Sequence, residues 1–143
     1  MVEPEHASTL AQRSADAMSV GDHALRHLGI QIDQLEPGHA RARMTVQPWM
    51  ANGHGMAHGG FVFALADTAF AYACNTEGEP TVARQCEITF LRPARVGEEL
   101  IAVAELRSRA GRAGIYDVSV KRHPGDVVAE LRGHSATLVP QGE

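Results

Sequence analysis

The stretch Asn52-Gly53-His54-Gly55-Met56-Ala57-His58-Gly59-Gly60 runs directly into the apolar segment 61–74. This pattern predicts a glycine-rich loop that leads into the N-terminus of a helix. The first amides of an α-helix have no partner within it and carry a partial positive charge, so they can bind an anion or a developing oxyanion. Glycines at 59 and 60 let a ligand approach the backbone without a Cβ in the way. The stretch therefore predicts a site suited to acyl transfer.

Asp67 is the single carboxylate of this helix and lies eight residues beyond Gly59. Eight helical residues rise about 12 Å, so the two groups of one chain cannot touch the same reacting carbonyl. If both serve one site, the second comes from a neighbouring subunit with an antiparallel helix, and a symmetric dimer then carries two composite sites. A carboxylate among alanines and aromatic residues usually has a partner or a task, which favours a functional Asp67 over a solvent-facing one.

The run from Asn52 to Asn75, with its HGG, LAD and AFAYACN segments, resembles the phenylacetic-acid-degradation (PaaI) group of hotdog-fold acyl-CoA thioesterases. The likeness continues through Gln85 to Ala94 and covers nearly the whole chain. It implies a homo-oligomer, a tetramer built as a dimer of dimers, whose packing mode the residues leave open. It also implies hydrolysis of aromatic acyl-CoA thioesters such as phenylacetyl-CoA or hydroxyphenylacetyl-CoA. No cofactor is expected, because coenzyme A is part of the substrate.

The catalytic roles expected from these residues divide between two subunits. The Gly59 amide polarises the thioester carbonyl, Asn52 helps to hold the site, and His58 fixes the loop and helps to orient water. Asp67 of the partner subunit acts either as a nucleophile or as a general base toward water. An aspartate with the ordinary pKa of about 3.9 is ionised at neutral pH and ready for either role.

Five further residues are expected to contact the substrate. Gly60 and Thr68 belong to the helix itself. Relatives place a hydroxyl on a later strand opposite the carboxylate, and Gln85 and Thr89 are the candidates for that place. Arg84 is one of several arginines that could bind the phosphates of coenzyme A.

Other functions compete with this interpretation. The runner-up is a noncatalytic hotdog module that binds or senses acyl-CoA, followed by a hotdog dehydratase, which would need a histidine beside the carboxylate. A serine triad is disfavoured because the chain lacks a G-x-S-x-G elbow. Cys74 has no neighbouring cation to activate it as a nucleophile. No metal site is expected, because His54 and His58 lie in a glycine loop without a third ligand.

The remaining patterns predict an α+β hotdog fold, with an antiparallel sheet of five or six strands wrapped around one long central helix. A helix at about 6–19 and a second from Asp22 to Leu28, ended by Gly29, form an N-terminal helical segment at 1–28. Strands follow near 30–33 and 40–46, the long helix at about 60–75, and four strands near 81–91, 98–108, 113–122 and 127–138. Turns between them favour an antiparallel meander, and the helix is apolar nearly all round, which predicts burial.

Composition is consistent with one domain over 1–143, because 143 residues with 44% hydrophobic content can form a sizeable core. A net charge of −4 disfavours nucleic acid and anionic membranes as partners. Cys74 and Cys86 show no CxxC spacing and are interpreted as reduced, buried and structural. The N-terminus lacks the pattern of a signal peptide, so we expect a cytoplasmic protein.

Overall fold

The computed structural model describes the backbone of residues 4–139 and the side chains of residues 9–139. The ends of the predicted domain, 1–3 and 140–143, lie outside this range. Two helices come first, α1 (Pro4–Gly21) and α2 (His23–Leu28). Asp22 caps α2 by accepting a hydrogen bond from the Leu25 N–H at 3.0 Å, and Gly29 ends it at a φ of 71°. Both signals were predicted from the sequence.

Six strands form one antiparallel sheet, and a single long helix packs against it. The strands are β1 (Gln31–Glu36), β2 (His39–Thr45), β3 (Thr81–Phe90), β4 (Glu99–Ala110), β5 (Ala113–Arg122) and β6 (Asp126–Thr137), and the long helix is α3 (Gly59–Cys74). A short 3-10 helix, Pro48–Met50, lies between β2 and α3. This is the predicted hotdog arrangement, with six strands rather than five. Within the described range, no helix is long and apolar enough to cross a membrane.

The predicted meander of the four strands after α3 is wrong in one respect, because β3 does not pair with β4. The order across the sheet is β1-β2-β4-β5-β6-β3, so β2 pairs with β4 and β3 pairs with β6 at the far edge. Of the four strands after α3, only β4, β5 and β6 follow one another through tight turns. The chain crosses the sheet as α3 after β2, and this long connection delivers β3 to the opposite edge. Strand β3 therefore has one free edge within the described chain.

The core lies between α3 and the inner face of the sheet. Its side chains alternate along each strand, as Ala40, Ala42 and Met44 do on β2. Gly133 on β6 leaves room for the buried ring of Phe70, since a Cβ there would lie 2.5 Å from that ring. The N-terminal helices are tied to this core, because the buried Tyr72 donates a hydrogen bond from its hydroxyl to Asp22 Oδ2 at 3.0 Å.

The prediction that α3 is buried all round holds for the face that meets the sheet. A second face remains partly open along positions three or four residues apart, which form one stripe of a helix. The stripe consists of Gly60, Ala64, Asp67, Thr68 and Ala71, all half-buried or exposed. The single carboxylate of the helix therefore lies on the face that the subunit leaves open.

Candidate active site

The loop before α3 is organised by Asn52. Its side-chain Oδ1 accepts hydrogen bonds from the N–H groups of His54 at 2.9 Å and Met56 at 3.1 Å. Its own N–H donates to the Met56 carbonyl at 2.7 Å, and Gly55 completes the tight turn at a φ of 75°. The hydrogen bonds of Asn52 therefore stabilise the conformation of the loop that leads to α3.

His58 caps α3 and determines which amide at the helix start remains without a hydrogen-bond partner. Its backbone is extended, and its Nδ1 accepts a hydrogen bond from the Gly60 N–H at 2.9 Å. Its carbonyl accepts one from the Phe61 N–H at 2.9 Å. Among the described residues, the Gly59 N–H has no hydrogen-bond partner. The amide available at the helix start is therefore that of Gly59, while the Gly60 amide, expected to contact substrate, is already engaged.

Gly59 also lines an open groove of about 420 Å³. The walls are mostly apolar and include Met56, Val62, Phe90 and Leu91. The Phe90 ring lies so close to Gly59 that a Cβ at this position would be 3.1 Å from the ring Cζ. Glycine therefore leaves the groove open where the helix start meets it, and a Cβ would require a small shift of the Phe90 ring. The combination offers an apolar surface beside an unpaired backbone donor.

Asp67 lies on α3 beyond hydrogen-bonding reach of that donor, and it is half-buried. The side chain near its carboxylate is Cys86, whose Sγ lies 3.9 Å from Oδ1. Burial raises the pKa of Asp67 above its usual value, and the hydrogen bond from Cys86 partly opposes this effect. Within residues 9–139, no lysine, arginine or histidine pairs with this carboxylate. A half-buried carboxylate without a cation accepts a proton readily, as a general base does.

The residue opposite Asp67 on β3 is neither of the two expected from the sequence. Cys86 and Ile88 pack toward the core, whereas Gln85 and Thr89 are exposed. Because neighbouring side chains of a strand point to opposite faces, Gln85 and Thr89 lie on the outer face of the sheet, away from Asp67. Cys86, interpreted from the sequence as a buried structural cysteine, is half-buried and beside the carboxylate. The polar-apolar alternation of Gln85 to Phe90 was the signal that could have identified it.

Two other residues were predicted to contact the substrate, Thr68 and Arg84. The hydroxyl of the first is already hydrogen-bonded, and the second lines a different groove from Gly59. The Thr68 hydroxyl donates to the Ala64 carbonyl one turn back at 2.7 Å, so its proton is already engaged. Arg84 occupies a bulge of β3 and lines an exposed groove with Arg112. Among the described side chains Arg84 has no ion-pair partner, whereas Arg109 binds Glu77 at 2.6 Å.

Cys74 is excluded as a nucleophile by its surroundings. It is buried at the end of α3, and its thiol donates to the Ala71 carbonyl at 3.4 Å. Burial is the main cause that raises its pKa to about 12. A thiol with such a pKa is protonated at neutral pH and is a poor nucleophile.

Comparison with known proteins places these features in a family. A family model described as the thioesterase superfamily matches residues 54–129. The chain belongs to this superfamily. The match includes the helix start at Gly59, the carboxylate at Asp67 and the thiol at Cys86, and it begins two residues after Asn52.

Individual relatives place the chain in the PaaI group of thioesterases. It is 44% identical to acyl-coenzyme A thioesterase PaaI of Escherichia coli K12, over 87% of this chain and 89% of that protein. The solved structure of E. coli PaaI, from the phenylacetic acid degradation operon, superposes with a TM-score of 0.91 at 42% identity, over 93% and 96% of the two chains. The N33D mutant of PaaI from Thermus thermophilus gives a TM-score of 0.79 at 38% identity, over 82% and 100%.

Proposed function

We propose that this thioesterase hydrolyses the thioester of aromatic acyl-CoA molecules, such as phenylacetyl-CoA or hydroxyphenylacetyl-CoA, to the free acid and coenzyme A. The single observation that carries the proposal is the unpaired Gly59 N–H at the start of α3, beside the apolar groove. A thioester carbonyl develops negative charge during hydrolysis, and a preorganised backbone amide stabilises that charge. The preference for aromatic acids is supported by the resemblance to PaaI proteins.

The proposed site is completed by a second copy of the chain. Gly59 and Asp67 are separated by about 12 Å along α3, so one subunit supplies only half of the machinery at each site. The open stripe of α3 and the free edge of β3 offer the surface for the second copy. Val82, Phe90 and Leu91, on or just beyond β3, are exposed apolar residues. A long free edge with exposed apolar side chains favours pairing with another strand.

In the proposed reaction, the Gly59 amide of one subunit binds the carbonyl oxygen of the thioester. Asp67 of the partner subunit acts at the carbonyl carbon in one of two ways. As a general base, it takes a proton from water while the water oxygen bonds to the carbon. As a nucleophile, it forms a mixed anhydride that water then cleaves. In both routes the carbon–sulfur bond breaks, and the coenzyme A sulfur leaves as a thiolate that takes up a proton.

The proposed composite site requires an oligomer of this chain. A dimer with twofold symmetry gives two equal sites, and a tetramer of two such dimers agrees with the resemblance to the PaaI group. Native mass spectrometry tests this directly, since a monomer would be incompatible with a composite site.

The experiment that tests the function is steady-state release of free thiol from phenylacetyl-CoA, hydroxyphenylacetyl-CoA and a medium-chain acyl-CoA. We expect turnover by the wild type with preference for the aromatic esters. In Asp67→Ala and Asp67→Asn, kcat should fall by roughly 10²- to 10⁴-fold, the usual contribution of a catalytic base. Tight binding of acyl-CoA without turnover by the wild type would contradict the proposal and favour the noncatalytic acyl-CoA binder.

A further inference from the structure

We propose that Cys86 is a positioning residue for Asp67: its thiol donates a hydrogen bond to the carboxylate and holds it in the orientation that the reaction needs. The inference rests on the proposed thioesterase function, and it assigns a role to a side chain on a different element from the carboxylate. Both residues belong to one subunit. They would therefore form a preassembled half of the composite site before a partner is present.

The contact is specific in geometry. Cys86 Sγ lies 3.9 Å from Asp67 Oδ1, within the range for a hydrogen bond that involves sulfur. Among the described residues, Cys86 is the one hydrogen-bond partner of the Asp67 side chain. Thr68, the neighbouring hydroxyl on α3, is turned to the Ala64 carbonyl. The thiol is thus the donor that can fix the rotation of the carboxylate.

A β-bulge aims Cys86 at the helix. The pairing of β3 with β6 runs Ala83 with Ser135 and then Gln85 with His134, so Arg84 is an extra residue on β3. A bulge shifts the alternation of every side chain that follows it. After the bulge, Cys86 packs toward the core and Gln85 is exposed. Bulges that re-aim a side chain are common beside active sites, which fits a role for the thiol beyond filling space.

The electrostatic surroundings make a neutral donor suitable. Burial raises the pKa of Asp67 and the hydrogen bond from Cys86 on β3 lowers it, while burial and then the charge of Asp67 raise the pKa of the Cys74 thiol on the same helix. No charged side chain of β2, β4, β5 or β6, within residues 9–139, forms an ion pair with it. A lysine or arginine here would hold the carboxylate ionised but would also reduce its basicity strongly. A thiol is a weak donor, so it orients the carboxylate while leaving it basic.

The test is the pH profile of kcat/KM for Cys86→Ala and Cys86→Ser beside the wild type. A hydrogen bond to the ionised form favours that form, so its loss in Cys86→Ala should move the acidic midpoint upward by about half a pH unit. In Cys86→Ser the hydroxyl is a stronger donor, and the midpoint should move downward. We also expect kcat of Cys86→Ala to fall several-fold on the plateau. Cys74→Ser, a thiol replacement in the same core, is the matched control and should leave the midpoint unchanged.

The outcomes separate this inference from the function on which it rests. Opposite shifts in the alanine and serine variants would support the positioning role, since a residue that only fills space would change stability and leave the midpoint in place. An active wild type whose midpoint is the same in both Cys86 variants would overturn the inference and leave the thioesterase function standing. An inactive wild type would overturn both. Should Cys86→Ala fail to fold, the downward shift in Cys86→Ser still decides the matter.

Discussion

His58 Nδ1 accepts a hydrogen bond from the Gly60 N–H at 2.9 Å. This contact distinguishes the two adjacent glycine amides, because it satisfies that of Gly60 and leaves that of Gly59 without a partner among the described residues. A neutral imidazole with an unprotonated Nδ1 is required for it, so the ring serves as a cap acceptor. The role that the structure gives to His58 is thus to arrange the helix start around the Gly59 amide.

Gly59→Pro should remove the proposed oxyanion donor while preserving the helix. Proline is favoured at the first position of a helix, and the extended backbone of His58, at φ −60° and ψ 133°, suits the residue before a proline. We expect kcat to fall by roughly 10²- to 10³-fold, the usual loss for one oxyanion donor. The measurement is steady-state thiol release, with circular dichroism as the check on folding.

Gly59→Ala is the matched control for that variant, because it keeps the N–H and adds the same Cβ contact with Phe90. The exposed Phe90 ring can shift by a few tenths of an ångström to admit it. A much smaller loss of kcat is expected than for proline. Equal losses in the two variants would show that crowding at the groove, rather than the missing amide, limits the reaction.

His58→Asn should retain the cap and His58→Ala should lose it. Asparagine is a preferred cap residue with an acceptor oxygen, whereas alanine leaves the Gly60 N–H unpaired at a cost of about 0.5–2 kcal/mol in the free energy of unfolding. We expect denaturant unfolding to show this difference, and kcat of His58→Asn to remain closer to wild type. A wild-type-like stability of His58→Asn together with activity as low as that of His58→Ala would instead indicate an acid-base role for the ring.

Asp67→Asn should stabilise the protein at neutral pH while removing activity. Burial raises the pKa of Asp67 in the folded chain, so folding favours the protonated form, and the ionised form costs stability above the unfolded pKa of about 3.9. Asparagine avoids that cost. Thermal unfolding should therefore give a higher Tm for the variant at pH 7, and the gain should disappear as the pH falls below about 4. A lower Tm for Asp67→Asn at pH 7 would contradict the inference that the ionised Asp67 carboxylate costs stability through its burial.

The elements of the fold were predictable because their signals are local. The cap at Asp22, the terminator at Gly29 and the apolar run after Gly59 each depend on a few neighbouring residues, and each appears where the sequence predicts it. The position of β3 was not predictable in this way. Its place beside β6 depends on how α3 crosses the sheet, which is a property of packing and not of any short segment.

The candidate site likewise contains features that local sequence signals predict and features that depend on packing. The positions of Gly59 at a helix start and of Asp67 within the same apolar helix could be predicted from the sequence, because both depend on local signals. The neighbour of Asp67 could not be fixed by family resemblance, which pointed to Gln85 or Thr89. The alternation of polar and apolar residues from Gln85 to Phe90 indicates that Cys86 faces the helix, whereas the bulge at Arg84, which precedes this run, leaves no clear mark in a single sequence.

In the proposed dimer each site combines Gly59 of one subunit with Asp67 of its partner. The most direct test of this arrangement is to coexpress Gly59→Pro and Asp67→Asn chains with different affinity tags and to measure thioesterase activity of the mixture. In a mixed dimer one site contains both intact groups, so random mixing should restore roughly a quarter of the wild-type activity per subunit. If native mass spectrometry shows mixed oligomers and the activity stays at the level of the two parent variants, the site is not shared between subunits.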